Sequence, residues 1–303
     1  MKAIPVILHT DLGTDIDDSW ALLMLLRQRW LKPLMVLADT DDVVYRAAIA
    51  ARMLDCAGRT EVEIGLGCGS GERRDMMFLK QWMRGYSLSS YPGKVHEDGV
   101  GRAVELIRAS RVPVTLISIA PCLATAKMLE RAPDIAAKVD FVGVFGSVYV
   151  DYERRRGRCA EYNVRRDIKA SKRVLEAPWR STRLTPLDSC GAVQLDAGLF
   201  SELEASPDKD VRLLMDSVKS WSLSAPGQYD GVSSILFDTV AVHMASSLAY
   251  LEMKELPILV DRRGRTCPNR RYGHPMQVAV GWRDLPGYHR FLVDTLLGKA
   301  RRP

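Results

Sequence analysis

The sequence predicts an α/β fold: a single domain over residues 1–303, with a mostly parallel, Rossmann-like central sheet flanked by helices. Three observations carry this. Short branched apolar runs alternate with stretches of helical periodicity. The runs are apolar throughout rather than at every second residue, which is the pattern of strands buried on both faces of a parallel sheet. No Pro/Gly/Ser-rich linker and no internal repeat interrupts the alternation.

In chain order, residues 4–9 predict the first strand, followed at once by Thr10-Asp11-Leu12-Gly13. Residues 19–29 predict a helix, with Trp20, Leu22, Leu23, Leu25 and Leu26 on its apolar positions. A strand over 33–38 and a long helix over 43–57 follow. The alternation continues with strand 62–64, helix 101–109, strand 112–119, helix 122–131, strand 140–145, helix 168–177 and strand 183–187. Two stretches, 69–98 and 217–234, hold Gly, Ser, Tyr and Trp without a period. Long irregular segments in compact domains often cover a site, so both read as lids. Their aromatics (Phe78, Trp82, Tyr86, Tyr91, Trp221 and Tyr229) are candidates either to stack on a planar ligand or to pack the lids onto the core.

Composition narrows the function classes. With 47% hydrophobic and 26% charged residues the chain is neither disordered, collagen-like nor coiled coil as a whole. No apolar run approaches the ~18–20 residues of a membrane span. The N-terminal apolar stretch is too short for a signal peptide. The chain therefore reads as cytoplasmic, without a membrane partner. The six cysteines form no C-x-x-C pair and match no zinc spacing, so they read as free thiols. The net charge of +6 sits largely in Arg154–Arg156, Arg262-Arg263, Arg270-Arg271 and Arg301-Arg302, without the interleaved aromatics of a nucleic-acid module.

The chemistry-bearing segment follows the first strand: His9-Thr10-Asp11-Leu12-Gly13-Thr14-Asp15-Ile16-Asp17-Asp18. Its four aspartates have no Lys or Arg among them. In open α/β sheets ligands lie beyond the carboxyl ends of strands. Gathered carboxylates need a cation or a helix N-terminus to offset them, and a helix begins immediately after. Oxygen-only ligands select Ca²⁺ or Mg²⁺ over zinc. A phosphate loop would need the opposite charge and other glycine spacing.

That segment resembles the N-terminal signature of the inosine-uridine-type nucleoside hydrolases, an Asp-rich strand end of the form Asp-x-Asp-x-Gly-x-Asp-Asp with two extra residues here. Five further segments, in family order, are similar to the family's motifs: Leu37-Ala38-Asp39-Thr40 with Arg46-Ala47, His96-Glu97-Asp98-Gly99-Val100-Gly101, Ile119-Ala120-Pro121-Cys122-Leu123, Ala160-Glu161-Tyr162-Asn163 with Asp167, and Phe237-Asp238-Thr239-Val240-Ala241.

The resemblance implies a Ca²⁺-dependent hydrolase that cleaves the N-glycosidic bond of ribonucleosides to ribose and free base, by attack of a metal-held water. It implies Ca²⁺ ligation by Asp11, Asp18, Asp238 and the Leu123 carbonyl, with Asp11 as general base. Asp17 and Asp238 would take ribose hydroxyls, with Glu161 and Asn163 at the sugar's other edge and Asp39 and His96 as further substrate-binding candidates. The expected partner is a small-molecule nucleoside or ribosyl compound, and the expected assembly a homodimer or homotetramer. Asp15, in the two-residue insertion, is expected to face solvent.

The chain departs from the family pattern at four places. His9 stands where the family has Asp, Asp39 where it has Asn, Phe237 where base-preferring members have His, and Arg155 where it has Asn. Leaving-group activation is thereby unassigned, with His96 and Tyr229 as candidates, while His243 reads as structural. The arginines at 154–156 read either as solvated surface or as an anion site. Two other readings remain: a ribosyl-binding protein without turnover, and a hydrolase for a non-canonical ribosyl substrate.

Overall fold

β1 (Ile4–Thr10) is the pivot of the sheet, flanked in parallel by β2 (Leu31–Ala38) and β5 (Val114–Ser118). The computed structural model describes residues 3–69, 71, 76–224 and 231–303. From β1 the chain winds outward one way through β2, β3 (Glu63–Leu66) and β4 (Val95–His96). It then returns and winds the other way through β5, β6 (Val139–Gly143) and β7 (Ser181–Leu184). The full order is β4-β3-β2-β1-β5-β6-β7-β10-β8-β9, with β8 (Leu251–Val260), β9 (Thr266–Pro268) and β10 (His274–Trp282) closing one edge. β10 joins β7 in parallel, and β8 and β9 are added antiparallel. The strand order thus reverses at β1, which puts the crevice of an open α/β sheet beyond its C-terminal end.

Helices cover both faces, as the doubly apolar strands require. One core packs α1 (Asp17–Arg27), α2 (Val43–Cys56), α9 (Lys209–Ser222), α10 (Thr239–Met244) and α11 (Leu285–Leu296) against the sheet. The opposite core packs α3 (Gly99–Ala109), α4 (Leu123–Arg131) and α6 (Ile168–Leu175). Aspartates start several of these helices. Asp42 accepts from Tyr45 N, Asp98 from Gly101 N and Asp208 from Val211 N, each satisfying an N–H that the helix leaves unpaired. Gly99 lets α3 lie on β3, since a Cβ there would stand 2.6 Å from the Gly65 backbone.

The α/β class and the parallel sheet agree with the sequence expectation. Two expectations are corrected. The strand expected over 183–187 ends at Leu184, and α7 (Leu187–Cys190) begins where it was thought to finish. The stretch 217–234 is not irregular from its start. Residues 217–222 complete α9, whose Val211, Leu214, Met215, Val218 and Trp221 are buried at helical spacing. Tyr229 lies outside the described residues. Within 69–98, Leu79, Trp82, Met83 and Tyr91 are buried against the core, so these aromatics pack the segment down. No described helix is long and apolar enough to cross a membrane.

Candidate active site

β1 delivers its C-terminal end to the crevice, and the chain turns there to start α1. Gly13 makes that turn at φ +98°, a conformation that favours glycine, and a Cβ there would strike Ile49 and Tyr45. Asp17 and Asp18 are the first residues of α1, where carboxylates suit the helix dipole. Asp18 Oδ1 accepts from the Thr10 hydroxyl and from Asp11 N at 3.3 Å, so it is aimed back over the strand end. Asp238, just before α10, comes from late in the chain to meet them. Asp17, Asp18 and Asp238 are buried and offer carboxylate oxygens within 4.8 Å of one another. Asp11 and Asp15 line the same cavity of about 360 Å³, together with Glu161 and Asn163. Asp15 is exposed at the edge of that cavity, so it belongs to the acidic group rather than facing bulk solvent alone.

Burial of so much negative charge shows in the protonation of the group. Burial, then neighbouring Asp39 and Asp41, push Asp11 up to about 6, against the pull of Arg46 and His9. Asp17, Asp18 and Asp238 are raised well above the usual carboxylate range, by burial first and then by neighbouring carboxylates, Asp15 and Asp11 included. Burial likewise pushes Glu161 up to about 7, although three backbone N–H groups oppose it. An oxygen-only, buried, over-acidic donor set is what a hard divalent cation fits.

One buried cation organises this loop. Arg46, 2% exposed, donates to the carbonyls of Asp11, Leu12 (3.0 Å) and Thr40 (2.8 Å), to Thr14 Oγ1 (2.9 Å) and to Asp41 Oδ2 (3.2 Å). Thr40 and Asp41 take left-handed backbone angles, φ 64° and 47°, to present those acceptors. Asp41 Oδ1 also accepts from Arg166 at 2.8 Å, which ties in α5 (Tyr162–Arg166) and so the Glu161–Asn163 segment. Sequence reading gave Arg46 no role of its own. The signal was a lone arginine followed by Ala47-Ala48-Ile49-Ala50-Ala51 on a buried helix face.

The structure does not bring Asp39 and His96, expected as substrate-binding candidates, to the cavity lining. Both Asp39 oxygens are taken by groups of the scaffold. Oδ1 accepts from Cys68 N at 2.6 Å, and Oδ2 accepts from Ala124 N at 2.7 Å and lies 2.9 Å from His9 Nε2. His9 Nδ1 in turn meets Ser118 Oγ at 2.8 Å. Two departures from the family pattern, His9 and Asp39, are therefore one buried contact that binds β1, the end of β2, β5 and the start of α4. His96 lies on the short outer strand β4, its Nε2 2.9 Å from Glu63 Oε2, outside the cavity lining. Leu123 opens α4, and its side chain does not line the cavity.

Glu161 caps α5. Its Oε1 accepts from Asn163 N (2.8 Å), and its Oε2 from Gly146 N (3.0 Å) and Val164 N (3.3 Å). Asn163 Nδ2 donates to Val144 O at 3.1 Å, which leaves Oδ1 as its available acceptor. Three aromatic rings also line the cavity: Tyr152, Tyr162 and Phe237. Of these, sequence reading named Phe237 only as a departure and missed both tyrosines as wall residues. His243 is structural, as expected: its Nε2 meets Ala249 O at 2.8 Å, and burial pushes it down to about 4. Two arginines of the 154–156 run have partners within the protein. Arg154 donates to Leu187 O (2.6 Å), and Arg155 pairs with Asp151 and Glu153. The cysteines are free thiols.

With this geometry in place, the comparisons decide the family. The inosine-uridine preferring nucleoside hydrolase family matches residues 6–286. The chain belongs to that family. No curated protein matches it. Among solved structures it is similar to a plant nucleoside hydrolase, at 16% identity and TM-score 0.81 over 97% of this chain and 98% of that one. It is similar to a purine-preferring ribonucleoside hydrolase from Gardnerella vaginalis, at 20% identity and TM-score 0.77 over 97% and 99%. An inosine-uridine preferring nucleoside hydrolase from Bacillus anthracis aligns at 18% identity and TM-score 0.74 over 99% of both chains. The chain is thus a nucleoside hydrolase by family and fold.

Two outcomes follow from the site's packing. Asp39→Asn must turn its amide NH₂ toward either Cys68 N–H or Ala124 N–H, donor against donor, so it is expected to cost about 1–3 kcal/mol in urea unfolding. An unchanged midpoint would contradict the assignment. Asp11 and Glu161 titrate at about 6 and about 7 folded, against ordinary values of 3.8 and 4.5. Each holds its proton more tightly folded than unfolded, so its stabilising contribution is present below the ordinary value and lost as pH rises through the folded one. Ion-free protein is expected to lose stability from about pH 4 to 7, and a divalent cation to offset the loss. Urea midpoints across that window, with and without cation, check both signs.

Proposed function

We propose that the chain is a Ca²⁺-dependent nucleoside hydrolase that cleaves ribonucleosides to ribose and free base by direct attack of water. The observation that carries the reading is the buried Asp17–Asp18–Asp238 cluster, with Asp11 beside it, in the cavity that also holds Glu161 and Asn163. Asp11, Asp18, Asp238 and the Leu123 carbonyl are the proposed ligands. Bound there, Ca²⁺ supplies a positioned water of lowered pKa.

The chain's own groups do the rest. Asp11 takes a proton from the attacking water as general base, and its pKa of about 6 suits that task near neutral pH. Asp17 and Asp238 accept hydrogen bonds from two ribose hydroxyls. Asn163 Oδ1 accepts another from the sugar's far edge, and Glu161 stands behind it with its remaining lone pairs. Acceptors so placed reject sugars that lack a hydroxyl, because a buried carboxylate is then left unpaired. The aromatic wall of Tyr152, Tyr162 and Phe237 suits a planar base. Cavity size agrees: about 360 Å³ lies in the range of small-molecule sites. Assembly as a homodimer or homotetramer rests on the family resemblance alone.

Reducing-sugar release from a panel of purine and pyrimidine nucleosides tests the reading. Release with Ca²⁺ that a chelator abolishes is expected, and Asp11→Asn should lower kcat by roughly 10²–10⁴-fold. Tight nucleoside binding with no release over long incubation would favour a binding protein on the same scaffold. Wild-type rates in Asp11→Asn would contradict the assigned base.

A further inference from the structure

Breaking an N-glycosidic bond leaves an electron pair on the departing base, and a hydrogen-bond donor facing that base lowers the barrier. The acidic end of the cavity offers only acceptors, and Asn163 spends its Nδ2 on backbone carbonyls. Phe237, next to Asp238, has no donor. His243 is sealed among Tyr250, Tyr288 and Phe291, and His96 lies at the sheet edge beside Glu63.

Tyr152 stands differently. It lines the cavity and meets Phe237 edge-on, ring centroids 6.3 Å apart and planes at 80°. It is 43% exposed, large for an aromatic on a cavity wall. Its hydroxyl oxygen accepts the Tyr162 N–H at 2.8 Å, so its own hydrogen points away from that bond and is free to be given. The loop that carries it is pinned: Asp188 accepts from Val148 N (2.8 Å) and Tyr149 N (2.7 Å), and Arg154 holds Leu187 O.

We propose that Tyr152 is the catalytic residue that donates a hydrogen bond to the departing base. The proposal rests on the hydrolase reading above. The C1′–N bond breaks with both electrons passing to the base, and the Tyr152 hydrogen goes to the base atom that receives the charge. The water oxygen forms the new C1′–O bond and yields its proton to Asp11. Solvent returns a proton to the phenol and takes one from Asp11, so one water is consumed in total. Burial and the nearby Glu161 carboxylate hold the phenol above its usual range, which keeps it protonated and able to donate.

Tyr152→Phe keeps the ring and its edge contact and removes only the hydroxyl. The comparison is between a natural nucleoside and p-nitrophenyl riboside, whose phenolate departs without a donor. For Tyr152→Phe the nucleoside kcat should fall by about 100-fold or more while the p-nitrophenyl riboside kcat stays within about threefold. Loss of the Tyr162 anchor alone would slow both substrates together, and that parallel loss overturns the proposal. So does an unchanged nucleoside rate, or a selective loss that appears instead in Arg165→Met, the charged donor that also lines the cavity. If wild-type protein cleaves neither substrate, the hydrolase reading itself fails, and the proposal with it.

Discussion

The structure is organised around buried like charge. Asp11, Asp17, Asp18 and Asp238 converge where β1 ends, each pushed toward protonation by burial first and then by neighbouring carboxylates. Such a cluster is unfavourable in an ion-free fold and persists only where the surroundings over-determine it. The sheet does so topologically. β1 is central, its neighbours β2 and β5 run parallel to it, and the crossovers on either side open a crevice at its C-terminal end. Asp17 and Asp18 then gain the first turn of α1, and Asp238 arrives at the start of α10.

Two buried contacts fix the strand ends that frame the cluster. Arg46 spends its guanidinium on carbonyls of the acidic loop and on Asp41, and Asp41 extends the tie through Arg166 to α5. His9 and Asp39 do the same beneath the loop, joining four elements through one carboxylate. In each case the polar group is satisfied by backbone or side-chain partners, as a buried group must be. The cavity is lined both by carboxylates and by the rings of Tyr152, Tyr162 and Phe237.

Much of this was legible in the sequence. Branched apolar runs alternating with helical periodicity predicted the parallel sheet, and the four aspartates at one strand end do line a cavity. The family motifs named Glu161, Asn163 and Asp238, which the fold brings to the same cavity from distant positions. What was not legible had physical causes. β8 and β10 mix polar residues with Pro257 and Pro275, so they lack a strand period that can be read from the sequence. Asp39 looked like one more carboxylate for ligand because a sequence does not show that Cys68 N, Ala124 N and His9 already occupy it. Tyr152 sits in a loop beside an arginine run and Tyr162 opens the short α5, where aromatic spacing carries no signal, and only the tertiary fold brings them to the cavity of the aspartates.

The central claim is that these aspartates are one cation site, and direct calorimetric titration of the ion-free protein with Ca²⁺ at neutral pH tests it. The account predicts a single site per chain whose affinity collapses in Asp18→Asn and in Asp238→Asn while both variants stay folded. No binding to the wild-type protein, or binding that both substitutions leave unchanged, would contradict it.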